Sequence, residues 1–173
     1  MGESPTPESA RSPDAIAARM RHRVGMRNES IALEAPARRR ILIVDNHALM
    51  RRGLTALIDD QPDLTVCAAV ATPQAGLEAI ASSRPDLVIT DLALDDGDGL
   101  ALVRDICAGH EGLPVLVLTM HDAPVYARRA FRAGARGYVS KAELGETLLV
   151  AIRCVLGGEK SGSPKPREGL GPE

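Results

Sequence analysis

A chain of 173 residues with 21 Lys and Arg against 23 Asp and Glu is close to neutral, which argues against a nucleic-acid binder built on net positive charge. Cys67, Cys107 and Cys154 are scattered in apolar surroundings, suiting buried thiols in a reducing cytosol rather than a disulfide or metal framework. No run approaches the ~20 apolar residues that span a bilayer, and the opening MGESPTPESA has no hydrophobic signal core, so a cytoplasmic protein without membrane contact is expected.

Residues 1–40 hold eight Arg, five acidic residues and four Pro with few large apolar side chains, and 1–38 are expected to be a disordered extension. Within it, Ile16, Met20 and Val24 are spaced for one face of a short basic helix, but nothing demands order there. The pattern changes at Arg40. The run ILIV (41–44) reads as a buried strand. A helix over about 47–60 follows, with Met50, Leu54, Leu57 and Ile58 on one face, and then a strand over 64–71. Pro73 opens a helix over 73–83; Arg84-Pro85-Asp86 separates it from the strand LVIT (87–90). After the acidic loop LALDDGDG come a helix at about 98–108, the strand VLVL (115–118), a helix over about 122–134, the short strand GYVS (137–140) and a helix over 142–156. Residues 41–157 carry ten basic against fifteen acidic residues, which argues against a large nucleic-acid surface on the folded part. The last sixteen residues are rich in Gly, Pro and charge, and 159–173 are expected to be a disordered tail.

Strict βα alternation predicts an α/β fold, a five-stranded parallel sheet covered on both faces. With strand order 2-1-3-4-5, the doubly wound flavodoxin-like arrangement, a crevice opens between strands 1 and 3. Polar residues then gather at one sheet edge: Asp45 follows ILIV, Asp91 follows LVIT, Thr119 follows VLVL and Lys141 follows GYVS. Two adjacent carboxylates repel unless a cation intervenes, and a hard ion such as Mg²⁺ takes oxygen ligands. Asp91 could then form an acyl phosphate, with Lys141 and the Thr119 hydroxyl contacting the phosphoryl oxygens. Taken singly, each of these residues also has a bland reading as a helix cap, a strand end or a solvated charge.

The segments ILIVDNH, LVITDLALDDGDGL, VLVLTMHD and RAGARGYVSK resemble the receiver domain of bacterial two-component response regulators, over residues 40–158. The wording HALMRRGL, LTMHD and RAGARGY is most similar to receivers of the LuxR/FixJ-type family. The resemblance implies a receiver domain at 39–158 that takes a phosphoryl group from a histidine kinase or phosphotransfer protein. It implies Asp91 as phosphoacceptor, Asp45, Asn46 and the Ala93 backbone carbonyl as Mg²⁺ ligands, and Thr119, Lys141 and Tyr138 as the contact and switch residues. The readout surface, and a homodimer contact, would be the helix 122–134, strand 137–140 and helix 142–156 face.

Two departures stand out. Asn46 replaces the second acid of the family's pair, so one negative charge is lost and Mg²⁺ affinity should fall. Asp95, Asp96 and Asp98 could compensate, but read more simply as loop and cap residues. A helix-turn-helix output domain needs roughly 60 more residues, so the expectation is a stand-alone receiver without DNA binding. Arg128, Arg129, Arg132 and Arg136 form the basic cluster of the ordered region, read as a solvated helix face. His47, His110 and His121 show no metal-ligand spacing, and His47 should lie near the pocket rim. A degenerate receiver that acts without phosphate, as an interaction or dimerisation module, is the alternative. A phosphatase of the haloacid-dehalogenase type would need an acid where Ala93 stands, and a flavin site a Ser/Thr/Gly-rich first loop, so no enzyme is expected.

Overall fold

The computed structural model describes residues 37–94, 97–120 and 124–162. The expected disorder of residues 1–36 and 163–173, and the roles weighed for Asp95, Asp96 and His121, lie outside the described residues. Strand β1 (Arg39–Val44) leads to α1 (Ala48–Asp59), β2 (Leu64–Val70) to α2 (Pro73–Ser83) and β3 (Leu87–Thr90) to α3 (Gly99–Gly109). Then β4 (Val115–Thr119) leads to α4 (Pro124–Ala133) and β5 (Gly137–Ser140) to α5 (Glu146–Leu156). The five strands make one parallel sheet in the order 2-1-3-4-5, as the alternation predicted. Between β3 and α3, Ala93–Leu94 and Gly97–Asp98 form a two-residue antiparallel pair.

Helices pack on both faces of the sheet. Ile41 and Ile43 of β1, Leu87 and Ile89 of β3 and Leu116 and Leu118 of β4 pack with Leu54 and Ile58 of α1 and Leu148, Ile152 and Val155 of α5. Their neighbours Leu42, Val44, Val88, Val115 and Val117 point the other way, toward Ile80 of α2, Leu102 and Ile106 of α3 and Ala127 and Ala130 of α4. The twofold alternation of a strand therefore buries every residue of these short runs, which is why they read as continuous apolar sequence.

Local chemistry fixes the element ends. Thr72 caps α2, its hydroxyl accepting from the Ala75 N–H at 3.3 Å, with Pro73 in the first turn. Asp98 caps α3, accepting from the Leu100 N–H at 2.9 Å, as the loop-and-cap reading had it.

Two expectations need correction. The last helix does not run from 142: Lys141–Glu143 form a single 3₁₀ turn, capped by Ser140, and α5 starts at Glu146 after Gly145, whose φ is +88°. Leu144, which a helix running from 142 would turn inward beside Leu148, is consequently 40% exposed. The cysteines are only partly buried; Cys67 stands at a register shift between β1 and β2, where its thiol donates to the Ile41 carbonyl at 3.3 Å. After α5 the chain returns to the edge of the sheet. Ser161 lies parallel to β5, accepting from the Tyr138 N–H at 3.1 Å and donating to the Arg136 carbonyl at 3.0 Å. Among the described residues, no helix is long and apolar enough to cross a membrane.

Candidate functional site

Register brings the strand-end residues together. Val44 pairs with Thr90, so Asp45 and Asp91 leave β1 and β3 side by side, with the Asp91 N–H donating to the Val44 carbonyl at 3.0 Å. On the other side of β3, Thr90 pairs with Val117, and Thr119 pairs with Ser140, which places Lys141 one residue beyond the end of β5. Asp45, Asp91, Thr119 and Lys141 are all buried.

The Lys141 ammonium donates to Asp45 Oδ2 and to Asp91 Oδ2, each at 2.6 Å. Both bonds are short and charge-assisted, and they close a buried triad with one excess negative charge. The remaining carboxylate oxygens are held by backbone: Asp45 Oδ1 accepts from the His47 N–H at 2.8 Å and Asp91 Oδ1 from the Ala93 N–H at 3.2 Å. Arg51 donates to the Asp45 carbonyl at 2.6 Å and so ties the first turn of α1 to the end of β1. Thr119 ends β4 fully enclosed, and Tyr138 is buried with Ala127, Ala130 and Ala135 on the α4 side of the sheet. Asn46 is partly buried, and its side-chain oxygen is enclosed without a hydrogen-bond donor among the described residues. A carbonyl oxygen so placed is an open position for a cation.

His47, expected near the pocket rim but without metal-ligand spacing, comes closer than that reading had it. It precedes α1 and contributes Nδ1 at 3.3 Å from Asp45 Oδ1. Asp45, His47 and Asp91 can each offer an atom such that all three lie within 4.8 Å of one another, the span of a metal site. The spacing Asp-x-His carried the signal, but only the turn into α1 folds the imidazole back toward the carboxylate. His47 and Lys141 also border an open apolar depression lined by Leu49, Met50, Leu54, Met120 and Leu144. Leu49 and Met120 are 84% and 69% exposed there, an unusual display of large apolar side chains.

A second depression opens at the opposite edge of the sheet, lined by Arg39, Asp86, Cys107, His110 and Arg136 among others, and contains none of the strand-end residues. Burial pushes the Cys107 thiol up, with Arg136 opposing. Arg128, Arg129, Arg132 and Arg136 are exposed, a solvated face.

The sheet is doubly wound, and its charged residues at the carboxyl ends of β1 and β3 lie at the topological switch point of this α/β domain. Residues 41–153 match the response regulator receiver domain, and the chain belongs to that family. A LuxR-family two-component response regulator from Aurantimonas sp. SI85-9A1 is 34% identical, with a TM-score of 0.70 over 74% of this chain and 91% of that one. The receiver domain of the putative response regulator NarL from Mycobacterium tuberculosis, at 23% identity, has a TM-score of 0.68 over 72% of this chain and 100% of that one, a likeness of fold. The oxygen regulatory protein NreC of Staphylococcus haemolyticus is 34% identical over 121 residues, 69% of this chain and 56% of that protein. The chain thus spans about half the length of the curated relatives it matches.

Proposed function

We propose that this chain is a phosphoacceptor receiver in which Asp91 takes a phosphoryl group from the phosphohistidine of a histidine kinase or phosphotransfer protein. A carboxylate oxygen of Asp91 attacks phosphorus, the P–N bond to the donor imidazole breaks, and the imidazole departs with its electron pair and takes up a proton. The product is an acyl phosphate on Asp91. The single observation that carries this reading is the buried Asp45–Lys141–Asp91 triad at the carboxyl edge. It places a nucleophilic carboxylate beside a fixed positive charge that can follow the incoming phosphoryl oxygens.

Oxygen donors of Asp45, Asp91 and the unsatisfied Asn46 side chain, with the Ala93 carbonyl, suit a hard divalent ion such as Mg²⁺. Such an ion, when bound, offsets the repulsion between an anionic donor and an anionic acceptor. Thr119 lies at the end of β4, where its hydroxyl can meet a phosphoryl oxygen, and Tyr138 on β5 is the packed element that responds. The altered face is α4, β5 and α5, available to a partner or to a second copy. The folded receiver unit runs from residue 39 through the strap at 161, and its free thiols suit a reducing cytoplasm.

The test is intact mass after incubation with Mg²⁺ and acetyl phosphate. One phosphoryl adduct, absent in Asp91→Asn, is expected; an unmodified wild-type protein overturns the reading.

A second reading has its own observation. Asn46 removes one charge, and Lys141 already bridges both carboxylates, so only one negative charge is left uncompensated without an ion. A receiver working by constitutive contact would keep its sedimentation behaviour unchanged between wild type, with and without acetyl phosphate, and Asp91→Asn. A phosphate-dependent shift in mass of the sedimenting species rules it out.

A further inference from the structure

We propose that Asp45, His47 and Asp91 form a mixed nitrogen–oxygen centre that binds a borderline divalent transition ion such as Co²⁺ in preference to Mg²⁺, with His47 Nδ1 as a direct ligand. This rests on the reading above that the two carboxylates hold a divalent cation, and deepens it by naming the ion class and an additional ligand.

Geometry comes first. Bonds of about 2.0–2.2 Å from a metal to nitrogen and oxygen put neighbouring ligand atoms roughly 3.0–3.4 Å apart, depending on coordination number. His47 Nδ1 and Asp45 Oδ1 stand 3.3 Å apart, already the edge of such a polyhedron. Asp91 supplies a third atom within 4.8 Å of both, a distance that closes with side-chain adjustment. Lys141 engages the Oδ2 atoms of both carboxylates, whereas the imidazole approaches Asp45 on Oδ1, so the ammonium and the ion use different sides of that carboxylate.

The imidazole is held without being trapped. Its backbone N–H is fixed to Asp45 Oδ1 at 2.8 Å, which sets where the side chain begins, while the ring is 64% exposed and can turn onto an ion with little rearrangement.

Chemistry then decides the ion. Affinity for a hard ion rises with the negative charge of its oxygen ligands, and Asn46 offers an uncharged oxygen, buried and without a donor among the described residues. The site therefore loses much of its hold on Mg²⁺. An imidazole compensates selectively, because nitrogen ligands suit Co²⁺, Ni²⁺ and Zn²⁺ and contribute little toward Mg²⁺. Loss of a carboxylate and gain of a ring nitrogen shift the preference in the same direction.

The experiment is calorimetric titration of the full chain with Co²⁺ and, separately, with Mg²⁺, read alongside the visible absorption of bound Co²⁺. Wild type is expected to bind Co²⁺ at least about tenfold more tightly than Mg²⁺. Even outer partners of metal ligands are worth 10–100-fold, so His47→Ala should weaken Co²⁺ by at least about tenfold and shift the Co²⁺ spectrum. Mg²⁺ should change by less than about threefold. Asn46→Asp should tighten Mg²⁺ and narrow the ratio. His47→Gln, with an oxygen in place of the ring nitrogen, should behave as His47→Ala toward Co²⁺; circular dichroism melting checks that both variants fold. Unchanged Co²⁺ affinity in His47→Ala overturns the inference, as does an equal loss for both ions, which marks a structural role. A thiolate charge-transfer band abolished in a Cys107→Ser, His110→Ala double variant overturns it too, by moving the ion to the opposite edge. Survival of Mg²⁺ binding in Asp45→Asn and Asp91→Asn would instead sink the underlying carboxylate reading, so the two failures are distinguishable.

Discussion

Lys141 is the residue on which the site's electrostatics turn. A buried ion pair stripped of one partner costs about 3–5 kcal/mol, and here removal of the ammonium leaves two enclosed carboxylates facing each other. Lys141→Met is therefore expected to lower the unfolding free energy measured by urea titration by that amount, with part of the loss restored by saturating divalent ion, which binds only the folded state. A surface pair behaves differently. Arg153 donates to both oxygens of Asp63 at 2.9 Å and holds that carboxyl below its usual range. Because the folded value is depressed, its contribution is present above the ordinary carboxylate range and fades as pH falls through the folded value. Both groups are nearly half exposed, so Arg153→Ala should cost less than about 1 kcal/mol at neutral pH. That difference should vanish in urea titrations well below about pH 3.9. Sequence alone marks Asp45, Asp91, Thr119 and Lys141, because a polar residue closing an apolar run must lie at a strand end. It does not mark the His47 contact, which depends on the backbone angles of a turn.

At the level of elements, α3 starts against the back of the Asp91 loop. A side chain on Gly99 would put its first carbon 2.3 Å from the Asp91 carbonyl oxygen and 2.6 Å from Leu92 Cα, backbone that cannot step aside. Alanine gains about 1 kcal/mol in helix propensity, but overpacking costs about 1–3 kcal/mol, and contact with two stretches of backbone puts this site at the upper end. Gly99→Ala should thus unfold at lower denaturant and accept phosphate from acetyl phosphate more slowly. The helices from 48 to 133 were legible within a residue or two, since start signals such as Pro73 and Asp98 and apolar spacing agreed. The start of α5 was not: Leu144 fits the helical period, yet the Ser140-capped 3₁₀ turn and the positive φ at Gly145 break the helix before Glu146.

For the molecule as a whole, βα alternation and right-handed crossovers made the fold readable, and with it the gathering of the strand-end residues at one sheet edge. The return of the chain beside β5 was not, because a segment of Gly, Ser and Lys offers backbone hydrogen bonds rather than an apolar pattern. Its geometry is specific even so. Gly162 has φ +80°, and a Cβ there would lie 1.8 Å from the Tyr138 carbonyl oxygen. Gly162→Ala should release the strap, and hydrogen exchange at the Tyr138 amide, now bonded to Ser161, should accelerate while that of β3 stays slow. Seen mechanically, the chain leaves this domain from a strand edge and not from the end of a helix. Tension on the residues beyond Gly162 loads two hydrogen bonds flanking Gly137, in shear, before it reaches α5. The first strand to feel that pull is the one that carries Tyr138 and delivers Lys141.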